Sequence, residues 1–246
     1  MSSKRLSTST IGDTASNKAS SLGQFIEATG GTVSTITDGG VTYKLHRFNS
    51  AGTFTVTKCS NGAKAEVLLV GAGGSGGYAA NPGARYGGGG GGGGVSLAEI
   101  EVSPQNYTVT VGAARSLGSK TGGPSGIQSQ SDGSVRLGVG GGSTHNTDGA
   151  NGGGRSYNNS SVGRGIPPTG FDGSGSTGSG ASGSGANGYN SNFSGSNYDY
   201  GIGGKGGQNV VNNATRYGEA GEGPAATSTG SPTNGYAGVV YVRYAV

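Results

Sequence analysis

Hydrophobic and polar positions change pattern near residue 41. Val41-Thr42-Tyr43-Lys44-Leu45-His46-Arg47-Phe48 alternates apolar with polar residues and predicts a half-buried strand. Asn49-Ser50-Ala51-Gly52 carries turn residues, Thr53-Phe54-Thr55-Val56-Thr57 alternates again, and Ser60-Asn61-Gly62 predicts a second turn. The apolar run Ala65-Glu66-Val67-Leu68-Leu69-Val70 predicts a more deeply buried strand. Two further strands are expected at 95–102 and 107–111, joined by Ser103-Pro104-Gln105-Asn106. A last one, Gly238-Val239-Val240-Tyr241-Val242-Arg243-Tyr244, stands near the chain end. Strands at both ends of one region imply that the last returns beside an early one. The predicted fold is therefore all-β: a small antiparallel β-sandwich closed by the C-terminal strand, with essentially no α-helix.

The remainder has a different texture. Residues 1–40 are polar and rich in Ser and Thr, with one candidate helical turn at Ser21-Leu22-Gly23-Gln24-Phe25-Ile26-Glu27-Ala28. They are expected to form an extended, weakly packed attachment or oligomerisation segment, distinct from a glycine-rich domain at 41–246. Between 112 and 237 there is almost no strand or helix signal. Glycine tracts recur instead, around 71–77, 87–94, 138–142, 149–154, 173–185, 201–207 and 218–223.

Composition sharpens this picture. Of 246 residues 58 are Gly, there is no Trp, and hydrophobic residues make up 30%, so a conventional core cannot fill the chain. Charged residues are only 11%, which argues against charge-driven disorder and leaves a flexible Gly/Ser linker or a fold built on backbone contacts. The polyglycine-II arrangement fits the second option. An extended helix with three residues per turn makes no internal hydrogen bonds and points its amides outward. Where neighbouring rods carry Gly they approach closely, and each amide can bond a neighbour's carbonyl. Residues 87–94 would span roughly 25 Å as one rod. The C-terminal strand favours the ordered reading, because a dangling linker has no use for it.

Candidate chemistry is thin. Gly71-Ala72-Gly73-Gly74-Ser75-Gly76 matches G-x-G-x-x-G after a strand, yet Pro82 and the glycines from Gly87 forbid the helix a dinucleotide site needs. Gly73-Gly74-Ser75-Gly76-Gly77 matches G-x-S-x-G by the low complexity of the tract and lacks a base nearby. His46 is expected as an exposed strand residue and His145 as a solvated turn residue. One Cys and two distant His lack zinc-site spacing, and Asp148, Asp172 and Asp199 show no EF-hand pattern. Scarce, unpaired carboxylates argue against a polysaccharide depolymerase. No catalytic residue, metal or cofactor is expected. The net charge of +4 is dispersed, without the clustered footprint of a nucleic-acid binder. No apolar run reaches the ~18 residues of a membrane span. The polar Met1 to Thr10 lacks a secretory h-region, so synthesis in a host cytoplasm is expected.

The polar segments between tracts concentrate aromatics with Asn, Ser and Gly, the palette of antibody loops. The binding candidates are Tyr157, Phe171, Tyr189, Phe193, Tyr198, Tyr200 and Tyr217. These rings serve either as receptor contacts or as caps on the open ends of the glycine bundle. Replacing Tyr198 and Tyr200 with Ala is expected to lower host adsorption without lowering thermal stability.

The opening strand pair, Val67-Leu68-Leu69-Val70 running into 71–77, then 87–94, Tyr107-Thr108-Val109-Thr110-Val111-Gly112 and the closing strand together resemble the glycine-rich domain of bacteriophage tail fibres and adhesins over about 41–246. Similar glycine-rich domains occur as ligand-binding parts of animal receptor tyrosine kinases. The resemblance implies a virion structural protein at a tail-fibre tip, with loops that contact host surface polysaccharide or an outer-membrane protein. It also implies homotrimers; residues 1–40, which the resemblance does not cover, are expected from their polar, extended character to dock to other virion proteins. The alternative is a non-adhesive virion component: a capsid fibre, decoration or baseplate protein.

Overall fold

The structure, a computed structural model, describes residues 24–77, 87–114, 121–140, 142, 186–208, 211–225 and 231–246. Its strands are β1 (Ile26–Thr29), β2 (Thr32–Asp38), β3 (Val41–Phe48), β4 (Gly52–Cys59), β5 (Lys64–Val70), β6 (Val95–Glu101), β7 (Asn106–Thr110), β8 (Ser125–Ser129), β9 (Arg136–Val139), β10 (Tyr189–Ser191), β11 (Tyr198–Tyr200) and β12 (Val239–Ala245). There is no α-helix among the described residues. One five-stranded sheet runs β1-β4-β7-β8-β9, the other β2-β3-β12-β5-β6, and β10-β11 is a separate hairpin. All strand pairs are antiparallel.

The closing strand does return to the early ones: β12 sits at the centre of its sheet between β3 and β5. Alternation along β12 then sets two faces. Val240, Val242 and Tyr244 point into the core between the sheets, against Phe48, Phe54, Val67, Leu69, Tyr107 and Ile127. Val239 and Tyr241 point outward, yet they too are buried, with Leu45, Leu68, Val70, Val95, Phe193 and Tyr200. The hairpin β10-β11 covers that outer face. The expectation of a half-buried β3 is corrected accordingly, since Leu45 and Phe48 are both buried on opposite faces.

Two expectations for the N-terminal stretch also change. In place of a helical turn near residue 26 stands β1, which pairs with β4, and β2 pairs with β3. From residue 24 onward the chain therefore belongs to the sandwich. Asp38-Gly39-Gly40-Val41 closes the β2-β3 hairpin as a two-residue turn. Gly39 and Gly40 have φ of 57° and 82°, the left-handed pair that a type I′ turn demands. Likewise β8, β9, β10 and β11 lie in the region expected to lack strands.

Beyond the sheet, the tracts at 71–77, 87–94, 201–207 and 218–223 form the expected bundle, while those at 149–154 and 173–185 lie outside the described residues. Val70 of β5 faces Val95 of β6, and the next pair along the same register, Gly71 N–H to the Gly94 carbonyl, is a hydrogen bond of 2.9 Å. From there contacts recur every third residue instead of every second. Gly71, Gly74 and Gly77 donate to Gly94, Gly91 and Gly88 (2.9, 2.9 and 2.8 Å). Gly73 and Gly76 turn to another neighbour, donating to Tyr236 and Thr233 (2.9 and 3.1 Å). Gly87, Gly90 and Gly93 donate to Pro224, Gly221 and Gly218 (2.8, 2.9 and 2.8 Å), and Gly204 and Gly207 donate back to Gly90 and Gly87 (both 2.9 Å). Spacing by three is what a three-residue turn produces, because each successive amide faces a different neighbour. Three rods close on one another where Gly74 bonds Gly91, Gly90 bonds Gly221 and Gly221 bonds Gly74 (each 2.9 Å).

Glycine is required here by proximity. A Cβ on Gly92 would fall on the Gly201 carbonyl oxygen, and one on Gly221 would fall on the Thr233 carbonyl oxygen. The rods thus satisfy buried backbone groups where side chains would hold them apart.

Candidate binding groove

The outer face of the β12 sheet carries a groove of roughly 510 Å³. Its floor comes from alternate residues of three adjacent strands: Thr32 and Ser34 on β2, Leu45 and Arg47 on β3, and Tyr241 on β12. One wall is the hairpin connection, with Ser194, Ser196 and Tyr198. The other is built by Thr215, Tyr217 and Tyr236.

Each wall is held in place. Arg243, 8% exposed, anchors the hairpin from below. Its guanidinium lies 4.3 Å from the Phe193 ring centroid and 4.4 Å from that of Tyr43. It bonds Glu66 (2.8 Å) and Asp38 (3.0 Å), and Asn192 donates to the other Asp38 oxygen (2.9 Å). A desolvated Arg with two carboxylates and two rings is a strong tether when intact. The opposite wall is pinned by Glu219, whose Oε2 accepts from the Thr215 and Arg216 amides (2.6 and 2.8 Å), while Arg216 pairs with Asp199 (2.7 Å). Tyr217 and Tyr236 flank Gly218 and Gly235, two glycines packed in the bundle. The rods therefore set the position of both tyrosines.

The rings form a chain from surface to core. Centroid separations are 5.9 Å for Tyr236–Tyr217, 5.9 Å for Tyr217–Tyr198, 4.8 Å for Tyr198–Tyr200, 6.3 Å for Tyr200–Tyr241 and 6.4 Å for Tyr241–Phe193. These distances lie in the favourable range for aromatic pairs. The outer members are accessible: Tyr236 is 39% exposed, and Tyr198 and Tyr217 are half-buried. Burial pushes the phenols of Tyr198, Tyr200 and Tyr241 above the ordinary tyrosine value, so they stay protonated and able to donate.

Of the sequence candidates, Tyr198 and Tyr217 line this groove, and Tyr189 packs half-buried beside it. Phe193 and Tyr200, at 2% and 0% exposure, pack on the outer face of the β12 sheet with Leu45, Leu68, Val70 and Tyr241. The pairing of Tyr198 with Tyr200 as a stability-neutral double replacement is corrected by that burial. Tyr157 and Phe171 lie outside the described residues, as do His145, Asp148 and Asp172. Asp199 is engaged by Arg216 and by Asn190 (2.7 Å each). Sequence reasoning missed Tyr236, Tyr241 and Arg47. Tyr236 lies within a Gly-flanked stretch like the chosen segments, whereas Arg47 and Tyr241 become neighbours only through β3-β12 pairing.

Other motifs resolve differently. His46 is fully buried, not exposed, because it shares the inner face of β3 with Phe48. One ring nitrogen lies 2.8 Å from the Gly30 carbonyl and the other 3.2 Å from the Tyr244 hydroxyl. Desolvation lowers its pKa from 6.5, with Lys44 adding to the effect against the opposing Gly30 bond. The G-x-G-x-x-G stretch continues as an extended rod, and Ser75 is buried within the bundle at 3% exposure. No helix among the described residues is long and apolar enough to cross a membrane.

A family model for a glycine-rich domain matches residues 49–245. No curated protein matches the chain.

Proposed function

The chain belongs to the glycine-rich domain family, and from that premise we propose that it is a non-catalytic adhesive module at the tip of a bacteriophage tail fibre. The supporting observation is the arrangement of the groove. Surface tyrosines and hydroxyl side chains stand on a floor of paired strands and against rods tied by backbone hydrogen bonds at three-residue spacing. Rigid aromatics with small polar residues bind with little loss of conformational freedom. The order of strands and glycine tracts, which resembles phage tail-fibre adhesins, supplies the virion context. In this reading residues 1–40 contribute docking to other virion proteins, and assembly is homotrimeric.

Gold-labelled antibody against the chain, applied to intact particles, is expected to decorate the distal ends of fibres. Purified chain is expected to block adsorption of those particles to their host. Label on the capsid or baseplate, with no competition, would refute the adhesive role.

A further inference from the structure

We infer that the groove around Arg47 binds a carboxylate-bearing sugar, a uronic-acid type unit of an acidic polysaccharide. This rests on the adhesive reading and specifies its ligand class. The Arg47 Nε is buried and finds no hydrogen-bond partner among the described residues. A buried donor left unpaired is unfavourable, and more so when charged, so such a group calls for a partner. Arg47 lines the groove between Thr32 and Tyr241, its cross-strand neighbours on β2 and β12.

The rest of the lining narrows the ligand. Among the described residues its lining contains no Asp or Glu to neutralise Arg47 or repel an anion. Nor does that lining hold a second cation, which suits the single charge of a carboxylate better than the larger charge of a phosphate. The guanidinium fork matches a planar carboxylate in two parallel hydrogen bonds. Thr32, Ser34, Ser194, Ser196 and Thr215 each present a hydroxyl that both donates and accepts, which complements the ring hydroxyls of a sugar. Tyr198, Tyr217 and Tyr236 add ring faces and phenol groups for the apolar and polar sides of a pyranose. The volume lies within the usual range of small-ligand sites, about 300–1,000 Å³.

The test is titration calorimetry on the full chain with three probes: an oligogalacturonate, a neutral hexose oligomer of equal length, and a glutamate-rich peptide. The oligogalacturonate is expected to bind, more weakly as salt rises, and Arg47→Gln to weaken it about ten- to hundredfold. Should Arg47→Gln misfold, the Arg47 Nε–H resonance of the wild-type chain supplies the same answer by shifting on titration. Equal binding of the neutral oligomer, capture of the peptide in preference to the sugar, an unmoved Arg47 resonance, or no binding by any probe would overturn the assignment. The two readings separate in adsorption assays. Adsorption that survives Arg47→Gln would keep the adhesive role and move it to another surface. Uronate binding by a chain that neither labels fibres nor blocks adsorption would keep the groove and discard the fibre-tip role.

Discussion

Replacing Gly92 by Ala is the sharpest perturbation of the bundle. The backbone φ of Gly92 is not left-handed, so Ala can hold the local conformation, and only space is at issue. Its Cβ would fall on the Gly201 carbonyl oxygen with the Ile202 carbonyl carbon 2.8 Å away. Both are backbone atoms, so the rods must separate. Separation breaks the bonds from Gly204 to Gly90 and from Gly207 to Gly87, both 2.9 Å. Each break leaves buried groups unpaired at about 1–3 kcal/mol. Ala also reduces unfolded-state freedom, which returns about 0.4–1 kcal/mol. The expected loss is therefore about 1–5 kcal/mol. Gly140→Ala is the matched control, because among the described residues a Cβ there meets nothing within 4 Å and the φ is again not left-handed. It is expected to be neutral or stabilising by up to about 1 kcal/mol. Denaturant unfolding of both variants, followed by circular dichroism, gives the comparison. Gly92→Ala within about 0.5 kcal/mol of wild type would refute the close-packed bundle, since ordinary surface substitutions fall in that range.

Other substitutions test the remaining supports. Tyr200→Ala is expected to destabilise by about 3–5 kcal/mol, as large buried aromatics do, whereas the more exposed Tyr236→Ala should leave the unfolding midpoint nearly unchanged and weaken ligand binding. Arg243→Gln leaves Glu66 and Asp38 without their cation, and a loss of about 2–4 kcal/mol with faster proteolysis across 189–200 is expected after allowing for partial exposure of the carboxylates. His46 titrates below 6.5 in the fold, so the unfolded chain takes up the proton first on acidification. Stability should therefore be flat above pH about 6.5, fall as the pH drops below it, and level off below the folded pKa. A His46→Gln variant should lack that slope in pH-dependent unfolding.

Strands with strong side-chain patterns were legible in the sequence. The segments at 41–48, 53–57, 65–70, 95–102, 107–111 and 238–244 match β3 to β7 and β12 within a few residues at each end. Of the strands that were not legible, β8 buries polar side chains. In β8 the inward residues are Ser125, Ile127 and Ser129. Ser125 donates to the Val70 carbonyl (2.6 Å) and Ser129 to that of Val135 (3.3 Å). Ser in a glycine-rich stretch resembles a loop until those acceptors are known. Thr and Ser dominate β2, so its alternation was weak, although Asp38-Gly39-Gly40 was a readable hairpin signal. The location of His46 followed from its parity with Phe48, but Leu45 and Tyr43 on the other face made either side look like the core. The groove was half legible. Tyr198 and Tyr217 stood out by composition, while Arg47 and Tyr241 depend on long-range pairing that no local pattern encodes.

Amides of neighbouring glycine rods bond laterally and so order the tracts that carry no side-chain core of their own. Residue-resolved amide exchange on ¹⁵N-glycine-labelled native protein tests that bonding most directly. Gly74, Gly90 and Gly221 are expected to exchange at least about a thousandfold more slowly than in an unstructured peptide, close to the amides of β5 and β12. Exchange of these glycines at the unstructured rate, while the strand amides stay protected, would contradict the account.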